Sequence, residues 1–135
     1  MPDDLSPETT AFLDRFDASS ANPAIPIGEL FNDPFLAMDP TSVHALSPAV
    51  LAHALPARRE MFARAGVRRV SRRAASESRV DDLHRLVTVE WTADRGEAAP
   101  FTLKSTFLLR RDDDRTRVVV YLNHVDVKAL IAAAT

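Results

Sequence analysis

The chain predicts an α+β fold in which a strongly curved antiparallel sheet wraps N-terminal helices and leaves a pocket. Three observations lead there. Helix starts are written at Ser6-Pro7 and Ser47-Pro48, alternating apolar runs fill 83–91, 101–111 and 116–124, and a short apolar segment follows Asp126. Helices, then consecutive strands, then a helix give an α+β domain with helices on one side of a meander. A long sheet of few strands must twist and coil, so its concave face wraps the helices. Where they cannot fill that face, a hollow remains.

Ser6-Pro7-Glu8 combines an N-cap, a first-turn proline and a first-turn acid. Phe12, Leu13 and Phe16 follow at helical spacing, with Asp14, Arg15 and Asp17 turned outward, and the helix runs to about Ser20. A second short helix is expected over Ile25–Asn32, ended by Asp33-Pro34. Phe35-Leu36-Ala37-Met38 reads as a first strand stopped by Asp39-Pro40. Ser47-Pro48 opens a helix that Pro56 should split in two, because a mid-helix proline costs about 3 kcal/mol. Leu51, Leu55, Phe62 and Ala65 form one face of it, and Gly66 suits its end.

After Gly66 the pattern becomes strand-like. Val67–Ser78 is polar and carries Arg68, Arg69, Arg72 and Arg73, on both faces of one strand, as a protected sheet edge would. Val80-Asp81-Asp82 is a turn. In 83–91, Val87, Val89 and Trp91 share a face, with Arg85 on the same side and His84 on the other. Asp94-Arg95-Gly96-Glu97 closes a hairpin. Phe101, Leu103, Ser105, Phe107 and Leu109 share the inner face of the next strand. Asp112-Asp113-Asp114 turns into the strand 116–124, and Asp126 caps a helix over 127–134.

Composition bounds the function classes. The 135 residues are 46% hydrophobic and 27% charged, which fits one folded domain over 1–135. No apolar run is long enough for a membrane span, and the acidic Met1-Pro2-Asp3-Asp4 start does not read as a secretory signal. Without cysteine there is no disulfide, thiolate ligand or thiol nucleophile, and a cytoplasmic location follows by default. The charge is uneven: residues 1–57 hold one arginine against eight acids, and 58–135 hold sixteen basic residues against eleven acids. The basic residues lie on strand-like segments with acids among them, so no nucleic-acid partner is expected. His44, His53, His84 and His124 show no ligand spacing, so neither a metal nor a cofactor is expected.

Two stretches resemble the nuclear transport factor 2-like superfamily, which includes SnoaL-like cyclases and ketosteroid isomerase. One is Glu29-Leu30-Phe31-Asn32-Asp33 followed by Phe35-Leu36-Ala37-Met38-Asp39-Pro40. The other is Thr106-Phe107-Leu108-Leu109-Arg110-Arg111 with Val118-Val119-Val120-Tyr121-Leu122-Asn123-His124-Val125-Asp126. The resemblance covers nearly the whole chain and implies a cone-shaped, cystatin-like fold. In the isomerase pattern Asp39 falls at the catalytic base, Phe16 where a tyrosine hydroxyl completes the oxyanion hole, and Ser105 where a protonated aspartic acid donates. Two of those three positions depart from the pattern, and a phenylalanine supplies no donor for a developing enolate. Steroid isomerisation is therefore not expected.

The candidate site follows. Asp39, surrounded by Phe35, Met38 and Trp91, would be a desolvated general base; its alternative is a water-facing turn residue. Ser105 would be a donor, and His124 an acid or base at the pocket mouth, or else a cap or subunit contact. Phe12, Phe16, Trp91 and Phe107 would be walls, and the Trp91 indole N–H needs a polar partner or a ligand. Arg85 would hold a carboxylate or enolate, or lie solvated at the rim. The expected function is a pocket for a largely apolar small molecule, with cofactor-free acid–base chemistry of isomerase, cyclase or dehydratase type. The alternative is a non-catalytic binding or interaction module. Either reading includes a homodimer through the outer sheet face, where Thr88, Val119 and Tyr121 are expected.

Overall fold

The computed structural model describes residues 5–134; the Met1–Asp4 stretch read above lies outside them, as does Thr135. Helix α1 spans Pro7–Ala21, and the Ser6 hydroxyl accepts from the Thr9 N–H at 3.3 Å, which satisfies one of the orphan donors of the first turn. A 3-10 turn at Ile27–Leu30 leads into β1, Phe31–Asp39, which turns back as β2, Ser42–Leu46. Then come α2 (Pro48–Arg64), β3 (Arg69–Arg79), β4 (His84–Arg95), β5 (Ala98–Asp112), β6 (Arg115–Asn123) and α3 (Val127–Ala134).

One six-stranded sheet has the order β2-β1-β6-β5-β4-β3. Its neighbours are antiparallel except β1 and β6, which run parallel. The alternation expected in β4 and β5 holds residue for residue: Val87, Val89, Trp91, Phe101, Leu103, Ser105, Phe107 and Leu109 are all buried. Phe12 and Leu13 of α1 pack on this face, and the Phe12 ring meets Phe107 edge-on at 6.0 Å. Phe16, Trp91, Phe107 and Tyr121 continue the cluster, each such ring pair adding about 0.5–1.5 kcal/mol beyond its buried area.

Four expectations change. The Ile25–Asn32 helix is a single 3-10 turn, and the strand begins at Phe31, because Leu30 and Phe31 are already held in the core. Asp33-Pro34 lies inside β1, where the register against β6 shifts between Phe31 and Leu36. Pro56 does not split α2: proline removes one hydrogen bond, and the helix continues around it to Arg64. At its end Gly66, with φ 87°, donates to the Ala63 carbonyl, and Val67 donates to that of Phe62, a Schellman closure.

The fourth concerns Tyr121. Strict alternation puts it on the outer face, but it is buried and stacks on Phe107 at 5.2 Å and 11°. The cause is a bulge in β6. Leu108 pairs with Val120 and Leu109 with Val118, so Val119 is an extra residue and every side chain after it changes face. Register shifts also interrupt β3–β4 between Arg72 and Ala74 and β4–β5 between Ala93 and Arg95. Such bulges bend the strands and raise their twist, curving the sheet toward the helices.

Candidate functional site

Helix α2 has no fully buried residue. Leu51, Leu55 and Phe62, spaced for one face, stand over the sheet rather than in the core, and a cavity of about 400 Å³ lies between. Its buried lining comes from Ile27, Phe31, Trp91, Leu103, Ser105 and Tyr121. Its exposed edge includes Ser20, Ala63, Arg68 and Arg69. The deep part is therefore apolar and aromatic, and the edge is polar.

A few polar groups enter this space. The Ser105 hydroxyl donates to Asn123 Oδ1 at 2.7 Å, and both residues line the cavity. No hydrogen bond from the Tyr121 hydroxyl is made to any described residue. Asp17 is the only carboxylate among the described lining residues. Its Oδ1 accepts the indole N–H of Trp91 at 2.9 Å, and its Oδ2 lies 3.3 Å from Arg72 Nη1. Burial raises its pKa above the ordinary 3.8; the Trp91 bond and the Arg72 charge oppose that, and Asp14 adds to it.

Of the expected site residues, the structure brings Phe16, Trp91 and Ser105 together on the cavity wall. Phe12, Phe35 and Phe107 are fully packed core residues away from the lining. Met38 pairs with Leu122 on the outer side of the sheet, because Phe35 takes the inner face of β1. Asp39 sits in the β1–β2 turn. Its Oδ1 accepts from the Thr41 N–H (2.8 Å), the Thr41 hydroxyl (2.9 Å) and the Ser42 hydroxyl (3.1 Å). Those bonds, the Thr41 N–H first, lower its pKa, the reverse of a desolvated base.

Arg85 faces inward as expected but at the far end of β4. Its Nε lies 3.5 Å from Glu77, whose side chain is 8% exposed and also accepts from the Ser6 N–H and hydroxyl. The chain thus supplies its own carboxylate, and this group ties β3 and β4 to the start of α1. The His124 ring bonds the Thr106 hydroxyl at 2.7 Å on the outer face, away from the cavity. His84 lies between Asp81 and Arg110. Among the described residues no three His, Asp or Glu side chains converge as metal ligands, and no helix is long and apolar enough to cross a membrane.

Sequence reasoning missed Asp17, Tyr121, Asn123 and the arginines at the cavity edge. For Asp17 a signal existed: it follows the buried Leu13 by four residues, so it shares that helix face. For Tyr121 and Asn123 none did, since a bulge is invisible to alternation.

Comparison with protein-family models finds no match, and a search of curated proteins finds no significant relative. Solved structures do match. Aln2 from a Streptomyces species superposes with a TM-score of 0.69 at 16% identity over 95% of this chain and 98% of that one. An NTF2-like protein with a cystatin-like fold from Novosphingobium aromaticivorans gives 0.69 at 14% identity, covering 94% and 86%. An NTF2-like protein of unknown function from Shewanella oneidensis gives 0.65 at 12% identity, covering 87% and 96%. At such identities the likeness concerns the fold, and the sheet order and the helices on one face of the sheet agree with it. The chain has the NTF2-like, cystatin-like fold.

Proposed function

We propose that this domain binds a largely apolar small molecule in the cavity beneath α2, and that Asp17 holds or moves a proton on it. The observation that carries this reading is a half-buried carboxylate with a raised pKa in the wall of an apolar cavity of about 400 Å³. Isomerisation, cyclisation and dehydration each need one group that accepts a proton from the ligand and returns it. The Asn123 amide and the Tyr121 hydroxyl supply donors for a ligand oxygen. The absence of cysteine supports a cytoplasmic setting. The test is binding of the neutral fluorophore N-phenyl-1-naphthylamine. Its emission rises with the native chain, and Leu55→Trp, which puts a larger side chain into the cavity lining, weakens that binding several-fold while the protein stays folded. Undiminished binding to that variant contradicts the proposal.

A homodimer through the outer sheet face is a second element of this reading. Leu36, Val120, Leu108 and Leu86 lie side by side across four strands, and Leu36 and Leu86 are 40% and 43% exposed. Such a row suits a self-complementary two-fold contact. Light scattering should give twice the chain mass of 14.9 kDa, and Leu86→Glu should give the single mass. A native monomer at tens of micromolar contradicts it.

A further inference from the structure

We infer that the ligand of this cavity carries an anionic head group, held by guanidinium groups at the cavity edge, with its apolar body directed toward Trp91 and Leu103. The inference rests on the reading of the cavity as a ligand site and adds the chemical class of what enters: an amphipathic acid, carboxylate or phosphate ester.

Four arginines line the cavity, and all lie around the last turns of α2 and its Schellman closure: Arg58, Arg59, Arg68 and Arg69. Against them stands one lining carboxylate, Asp17, already engaged by Trp91 and Arg72. Every ion pair found among the described residues is made by other basic residues. Arg72 takes Asp14 and Asp17, Arg85 takes Glu77, and Arg110 and Arg117 share Asp112. The four cavity arginines are excluded from this pattern.

Their contacts leave donors free. Arg58 rests over the Phe62 ring at 5.5 Å, a contact that occupies its face and not its N–H groups. Arg59 donates from Nη2 to the Ser19 carbonyl at 3.2 Å, bridging α2 to α1, while its buried Nε has no partner. The Arg68 guanidinium lies against Gly96 at the tip of the β4–β5 hairpin, where a Cβ would come within 2.5 Å of it. Guanidinium groups along one cavity edge suit a carboxylate or phosphate, which such planar forks bind bidentately. Four like charges gathered beside an apolar cavity also repel one another, which an anion offsets.

The test compares two ligands of equal chain length, decanoate and 1-decanol, as displacers of N-phenyl-1-naphthylamine from the native protein at neutral pH and low ionic strength. Decanoate should bind about tenfold more tightly than 1-decanol. Added sodium chloride should shrink that preference. In the triple variant Arg58→Gln, Arg68→Gln, Arg69→Gln, which spares the Arg59–Ser19 bridge, the preference should fall several-fold, because affinity drops more for decanoate than for 1-decanol. Equal binding of the two displacers to the native protein, or an undiminished preference in the triple variant, overturns the anionic head group and leaves the cavity reading standing. Failure of both to displace the fluorophore, or of the fluorophore to bind, overturns the two together.

Discussion

The indole N–H of Trp91 donates to Oδ1 of Asp17 across 2.9 Å, joining β4 to α1 in the cavity wall. Trp91 is the only tryptophan in the chain, so its emission reports the charge on Asp17. Burial raises the Asp17 pKa, and the midpoint of the fluorescence titration should lie above 3.8. Asp17→Asn should remove that transition.

The same shift fixes a sign for stability. A carboxyl whose folded pKa is raised gives up folding free energy as pH rises from 3.8 through its folded value, and the cost is absent below 3.8. Urea unfolding of native and Asp17→Asn protein should show the native chain losing ground to the variant across that window. A difference that moves the other way would place Asp17 with the lowered carboxylates.

Asp39 has the opposite sign. Its turn hydrogen bonds lower its pKa, so its contribution is present above 3.8 and is lost as pH falls below that value through the folded pKa. Asp39→Asn should lower the melting temperature slightly at neutral pH, with the difference disappearing in acid. Affinity for N-phenyl-1-naphthylamine should be unchanged, because the residue lies outside the cavity.

Tyr121 is buried, stacks on Phe107 and also lines the cavity. Tyr121→Phe should change stability by less than about 0.5 kcal/mol in chemical denaturation, since the hydroxyl has no partner among the described residues. Tyr121→Ala should cost about 3–5 kcal/mol, as for other large aromatic deletions. Deleting Val119 should be worse than either, because it removes the bulge and turns Tyr121 outward.

Pro56 is exposed inside α2 and leaves the carbonyl four residues before it without its helical partner. Pro56→Ala should stabilise the protein by about 1–3 kcal/mol, reduced by the greater freedom of the unfolded chain. A thermal melt reads the direction.

What was legible in the sequence is local. Ser6, Ser47 and Asp126 act on N–H groups three residues away, and the faces of β4 and β5 follow from unbroken alternation. What was hidden depends on partners distant in sequence. The bulge at Val119 exists only as a mismatch between β5 and β6, and β1 starts early because Phe31 has the Phe35 and Tyr121 rings to pack on. Asp39 and Asp17 show the same division at the site. Both are aspartates beside apolar residues, but one ends on a turn rich in donors and the other under an indole. The resemblance pointed to the first, whereas only the second lies in the cavity wall among the described residues. Trp91 was correctly seen to need a polar partner, and that need was the trace of Asp17.

The proposed function requires a small apolar molecule to sit beside Trp91 under α2. Titration of the native protein with N-phenyl-1-naphthylamine, exciting the tryptophan, tests it most directly, because the bound fluorophore accepts energy from a nearby indole. Trp91 emission should be quenched saturably at one fluorophore per chain, with matching sensitised emission. Fluorophore binding that leaves Trp91 emission unaltered, or no binding, would contradict it.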